Sequence, residues 1–172
     1  AATATGTGAH AYGANAKANG AGATAHGHNA QANGTNAMAI GHNAKANGRH
    51  VIAIGSGAQA SGFNTNALAV GTQSFADGTD VIAVGAGARA TGTNVMAIGA
   101  GARATHDGSS SVGAGATSTR KNQIVLGTSK TEITAPNLAG DGSELIAANS
   151  DGTLQRSCLL YTSPSPRDPW KS

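Results

Sequence analysis

Two kinds of short segment alternate along the chain. One is apolar, as in "MAIG", "VIAIG" and "VMAIG"; the other is polar, as in "AKANG", "AQASG" and "ARATG". Glycine closes both kinds, at Gly6, Gly13, Gly20, Gly27, Gly34, Gly41, Gly48, Gly55 and Gly62, each seven residues after the last. It resumes at Gly71, Gly78, Gly85, Gly92 and Gly99, after a two-residue insertion near Phe63 and Asn64. The frame runs on through His106, Gly113, Arg120 and Gly127. The residue before the glycine position alternates in character. One series reads Thr5, Asn19, Asn33, Asn47, Ser61, Asp77, Thr91, Thr105; the other reads Tyr12, His26, Ile40, Ile54, Val70, Val84, Ile98, Val112, Leu126. The true unit is therefore fourteen residues. A helical heptad is excluded, because each glycine costs about 1 kcal/mol in a helix and the large core residues of a coiled coil are missing.

Within each half the period is two, which predicts a short strand ending at a glycine turn. Residues two apart share a strand face. Ala44 with Ala46, Ala58 with Ala60 and Ala88 with Ala90 line one face of the polar strands. Ala37 with Ala39, Val51 with Ala53, Val81 with Ala83 and Val95 with Ala97 line one face of the apolar strands. Joining these small faces predicts an all-β parallel roll, a solenoid of 14-residue coils, each a flat loop with Gly41, Gly48, Gly55, Gly62, Gly71, Gly78, Gly85, Gly92 and Gly99 at its turns. Lys45 with Asn47, Gln59 with Ser61 and Arg89 with Thr91 then face water. The opposite outer face carries Met38, Ile40, Ile52, Ile54, Leu68, Val70, Ile82, Val84, Met96 and Ile98. At roughly 1.5–3 kcal/mol for burying each such side chain, an apolar stripe of this length marks an interface. Its simplest partner is another copy of the same chain about a symmetry axis; periodicity leaves two copies or three open.

Composition sharpens this reading. Of 172 residues, 26 are glycine, 3% are aromatic and 11% charged, so an ordinary globular core cannot offset the chain's conformational entropy. The formal charge is +3, and Lys and Arg are scattered at intervals, which predicts no basic stripe and no nucleic-acid partner. No run of about 20 apolar residues is present to span a membrane as a helix. No initiator methionine or signal peptide stands at Ala1, so the start reads as a cut from something longer.

The units "TNVMAIGAGARAT", "RHVIAIGSGAQASG" and "TDVIAVGAGARATG" resemble the head repeats of the trimeric autotransporter adhesins, the YadA-like heads, from Gly6 to Gly127. The resemblance implies a left-handed roll and a homotrimeric head whose Ile/Val strands face the threefold axis. The stripe residues above, with Ile124 and Leu126 of "KNQIVLGTSKTEITAPNL", then form the trimer interface. It further implies a non-catalytic surface adhesin that attaches to host matrix, cells or surfaces through an extracellular protein or other surface ligand, with no cofactor or metal. The expected location is the outer membrane surface of a Gram-negative bacterium, reached only through a C-terminal anchor beyond these residues. Residues 1–127 would be head repeats and 128–156 a neck or transition segment, with "ELIAANSDGTLQRS" as a short hairpin turning at Asp151-Gly152. Residues 157–172 abandon the repeat composition: "CLLYTSPSPRD" looks like one reading frame of a transposon-end adapter used in sequencing libraries, and "PWKS" is equally foreign. Cys158, the only cysteine, falls in this tail.

Other chemistry is thin. The close glycines of "GTGAHAYG" and "GSGAQASG" lack the βαβ setting of a dinucleotide loop and read as repeat turns. His28 and His42 are fourteen apart and should stack on one edge, where polar turn residues are favoured over Zn²⁺ or Ni²⁺ ligands. His10, Tyr12, Thr24 and His26 occupy stripe positions, so the N-terminal end of the axis should be more polar. Asn15, Asn29, Asn43 and Asn19, Asn33, Asn47 predict side-chain ladders. Nothing converges as a Ser-His-Asp catalyst. The alternative function is a phage tail fibre or spike segment, which neighbouring structural phage genes would support and a downstream stalk and barrel would reject. β-Helix acyltransferases use six-residue repeats, and the regular Thr-x-Thr ranks of ice binders are missing.

Overall fold

Alanine at alternate positions lets two sheets lie close together, and the chain winds accordingly. The computed structural model describes residues 1–62, 66–131, 145–148 and 154–157. Residues 1–131 form a parallel β-solenoid of about nine turns with coils of about fourteen residues. On the apolar side, Thr24 pairs in parallel with Met38, Met38 with Ile52, Ile52 with Leu68, Leu68 with Ile82, and Ile82 with Met96. On the polar side, Lys17 pairs with Gln31, Gln31 with Lys45, Lys45 with Gln59, and Gln59 with Phe75. The offset is fourteen residues along ladders such as Asn19 to Asn33, but sixteen from Ser61 to Asp77. The inserted pair is thus absorbed within one coil; Phe63 and Asn64 themselves lie outside the described residues.

The interior is built from methyl groups. Ala44, Ala46, Ala53, Ala58, Ala83, Ala88 and Ala97 are fully buried, and Val51, Val81 and Val95 are the largest side chains that are. Toward the C-terminus serine replaces alanine inside. Each buried hydroxyl finds a partner, as it must: Ser111 Oγ donates to the Arg103 carbonyl at 2.9 Å and Ser118 Oγ to Ser109 Oγ at 3.0 Å. Alanine burial is worth little per residue, so the ladders between coils matter as much. Met38 N–H meets the Val51 carbonyl at 2.9 Å, and Gly41 N–H the His26 carbonyl at 2.8 Å. Each coil thereby leans only on its neighbours, as in other repeat architectures.

The corners explain the glycines. At one edge Gly41 takes φ 128° and Asn43 the left-handed φ 56°. A Cβ on Gly41 would lie 2.6 Å from the Gly55 carbonyl oxygen of the next coil. At the other edge a Cβ on Gly34 would overlap the Gly48 carbonyl. Gly78 and Gly92 depart from the expectation that glycine ends each strand. They lie inside the ten-residue strands Phe75–Val84 and Arg89–Ile98. The two corners share one conformation, so Gly78 stays opposite Gly92 and Thr79 opposite Thr93, and the ladder runs through the bend.

Residues from Glu132 onward form a second unit. There Leu145–Ala148 pairs antiparallel with Leu154–Ser157, Ala148 opposite Leu154. Asp151, Gly152 and residues 158–172 lie outside the described residues.

The interior side chains are small: alanine, serine and an occasional valine. Ala53→Leu, fully buried between Ala39 and Ala69 in the ladder, is expected to cost at least about 1–3 kcal/mol by overpacking. Gln59→Ala on the outer face should change stability by less than about 0.5 kcal/mol. Thermal unfolding of the two variants checks this; equal melting points would mean the interior is not close-packed.

Candidate functional site

Each sheet of the roll turns alternate side chains outward. The roll thus presents two outer faces of opposite character. On one, Met38, Ile52, Leu68, Ile82 and Met96 form a file, with Ile40, Ile54, Val70, Val84 and Ile98 as a second file beside it. All ten are half-buried rather than interior. Ile124 and Leu126 extend the files through Ser110 and Val112 and are exposed by 72% and 51%. At the N-terminal end the files begin with His10 and Thr24, and with Tyr12 and His26. There the Tyr12 ring stands edge-on to His26, with centroids 5.9 Å apart. A recess of about 450 Å³ opens on this face, lined by Ile52, Leu68 and Ile82 together with His50, Asn66 and Asp80. Asn66 Nδ2 donates to Asp80 Oδ1 at 3.0 Å beside it.

The opposite face is polar and equally regular. Outward residues form one file of Lys17, Gln31, Lys45, Gln59, Phe75, Arg89 and Arg103. Beside it runs a hydrogen-bonded ladder. Thr5 Oγ1 donates to Asn19 Oδ1 at 3.2 Å, Asn19 Nδ2 to Asn33 Oδ1 at 2.8 Å, and Asn33 Nδ2 to Asn47 Oδ1 at 2.8 Å. Further along the same line Ser61 Oγ donates to Asp77 Oδ1 at 2.8 Å. The Arg89 guanidinium lies 4.3 Å from the Phe75 ring centre, a cation–π contact. Lys17, Lys45, Arg89 and Arg103, scattered along the chain, thus fall on one line, since residues separated by whole coils share a place on the face.

The remaining motifs sort by geometry. Asn15, Asn29 and Asn43 hold left-handed corner positions at φ 56–57°, a conformation asparagine tolerates, while the side-chain ladder is made by the Asn19 series. His28 and His42 stack with ring centres 5.2 Å apart and planes within 5°. Among the described residues no three His, Cys, Asp or Glu side chains gather as a metal site. No helix of the described residues is long and apolar enough to cross a membrane.

One functional-looking contact has no sequence signature beyond spacing. Asp107 Oδ1 accepts the Thr93 backbone N–H at 3.0 Å, and Oδ2 accepts from Lys121 Nζ at 3.1 Å. The three residues belong to three successive coils, and the carboxylate clamps them. The Thr93 N–H first, then Lys121, holds the Asp107 carboxyl below the ordinary carboxylate range.

A stacked parallel solenoid with fourteen-residue coils, one apolar outer face and one polar one, places the described residues in the class of β-solenoid repeat proteins. The family model for the YadA head domain repeat matches residues 18–44, 32–58, 64–88 and 90–116, more than half of the chain. The chain belongs to the YadA head repeat family. Among solved structures it is similar to the collagen-binding domain of the Yersinia adhesin YadA, at 26% identity and a TM-score of 0.56, covering 80% of this chain and 83% of that one. No curated protein sequence matches the chain.

The Asp107 clamp has a definite pH signature. Because its folded value is lowered, its stabilising contribution is complete above the unfolded carboxylate range and is lost as pH falls through the lowered folded value. A carboxyl-detected NMR titration should show Asp107 titrating below the ordinary carboxylate range, and Lys121→Gln should raise its midpoint. An unmoved midpoint would mean the ion pair is not maintained in solution.

Proposed function

We propose that this chain is the head segment of a homotrimeric surface adhesin, in which three copies turn their apolar files toward a common axis. The continuous file from Met38 and Ile40 to Met96 and Ile98 carries the reading. A single roll leaves these side chains half in water, and only a further copy with the same periodicity matches their spacing coil for coil. Ile124 and Leu126 extend the same interface. The recess between Ile52, Leu68 and Ile82 receives side chains of the neighbouring copy. In this reading residues 1–127 are head repeats and residues 128–156 a neck or transition segment.

The rod is non-catalytic and works by attachment. Its outer faces repeat the same shallow contacts along each of three chains, so weak contacts sum by avidity. The similar YadA domain is described as collagen-binding, which supports host matrix as the attachment target. Display on the outer membrane of a Gram-negative bacterium, through an anchor encoded downstream, follows from the same kinship.

Light scattering of the full chain tests the assembly, with a trimer expected. Ile54→Asp and Ile98→Asp should each dissociate or unfold it, because an unpaired buried charge costs several kcal/mol per ion. Gln59→Asp, on the opposite face, should leave mass and melting point unchanged. A monomeric wild type, or a trimer that survives both aspartates, overturns the axial assignment. Attachment is read separately, as retention of the trimer on a collagen-coated surface.

A further inference from the structure

We propose that the polar outer face is a binding track for a linear acidic polysaccharide, laid along the file of Lys17, Gln31, Lys45, Gln59, Phe75, Arg89 and Arg103. The proposal deepens the attachment reading by naming a ligand class, and its biological sense rests on that reading. Its geometry does not.

Charge on this face is one-sided. Lys17, Lys45, Arg89 and Arg103 share one file. In the two files, the acid among the described residues is Asp77, whose Oδ1 already accepts from Ser61. Successive coils repeat at about 4.8 Å, close to the advance of one sugar residue in an extended polysaccharide. Lys17 and Lys45, two coils apart, therefore sit about 10 Å from each other along the rod. Arg89 and Arg103 lie on adjacent coils.

The ladder beside the cations supplies neutral donors at the same repeat. A primary amide has two N–H donors. Asn19 and Asn33 each spend one Nδ2 hydrogen on the next asparagine and keep the other for a ligand. Gln31 and Gln59 stand between the cations. Outside the Gln59 and Phe75 coils, where Ser61 already donates to Asp77, each coil of the file offers either a cation or an amide beside a further hydrogen-bond donor, which suits a chain of hydroxyls interrupted by sulfate or carboxylate groups.

Nucleic acid fits the same face poorly. Reading a duplex groove requires a protruding helix or β-ribbon, and this face is flat sheet. Single-stranded binding relies on aromatic stacking platforms. The file holds one aromatic, Phe75, and the Arg89 guanidinium covers it.

The experiment measures binding of the full chain to an immobilised heparin oligosaccharide, with neutral dextran and a single-stranded DNA of matched charge as comparisons. Two charge-matched triple variants are decisive. Lys17→Gln/Lys45→Gln/Arg103→Gln removes three cations from the file, and Arg49→Gln/Arg120→Gln/Lys130→Gln removes three exposed cations elsewhere. Wild type should bind heparin in a salt-dependent way and ignore dextran. The file variant should bind at least about tenfold more weakly and the other less than about twofold, since local rather than net charge governs the contact. Equal losses in the two variants, no heparin binding by wild type, or DNA bound as tightly as heparin would each overturn the proposal. Light scattering on the same samples separates the two readings. A monomer whose heparin binding depends on the file refutes the trimer and leaves the track standing; a trimer indifferent to heparin does the reverse.

Discussion

Backbone hydrogen bonding from each coil to the next, in register, is the constraint from which the rest follows. Parallel ladders join each coil to the next, and they close only if both corners repeat the same backbone path. That requirement puts glycine where neighbouring corners nearly touch: the Gly34 position faces the Gly48 carbonyl and the Gly41 position the Gly55 carbonyl. It also dictates the small interior. Two sheets joined by such short corners have room for methyl groups and an occasional valine, and alanine supplies them.

A roll so thin cannot hide large side chains, and this separates it from a globular domain. The large apolar residues have nowhere to go but outward, onto one face of the rod. The polar half of each coil has the same problem with Lys, Arg and Gln, and it resolves it on the opposite face. Opposed faces of opposite polarity are thus a direct result of the narrow interior. Assembly on one side and exposure to ligands on the other are the functional reading of that geometry.

The ladder also converts sequence spacing into spatial lines. Residues one coil apart stand one strand spacing apart, so a residue type used every fourteen or twenty-eight positions becomes a continuous feature. The asparagine ladder from Asn19 to Asn47 and the cation file through Arg89 and Arg103 arise this way. Where the spacing changes, at the insertion, the pairing from Ser61 to Asp77 shows the ladder accommodating extra chain within a single coil.

Much of this was legible in the residues themselves. The fourteen-residue period, the inward alanines at Ala44 and Ala46, and the outward files of Met38 and Ile40 are written in local alternation, because strand geometry ties a side chain's face to its parity. What parity could not decide was which outward residues meet across coils. Lys17, Lys45, Arg89 and Arg103 read as dispersed charges until the register placed them in one file. The clamp of Asp107 on Thr93 and Lys121 spans three coils and needs a corner geometry no period encodes. Gly78 and Gly92, expected to end strands, sit within them because hydrogen bonds from neighbouring coils extend the ladder through the bend. The chain alone determined period, strand faces and core composition, since these depend on near neighbours; the tertiary structure decided the lines, clamps and strand ends, since these depend on partners a full coil away.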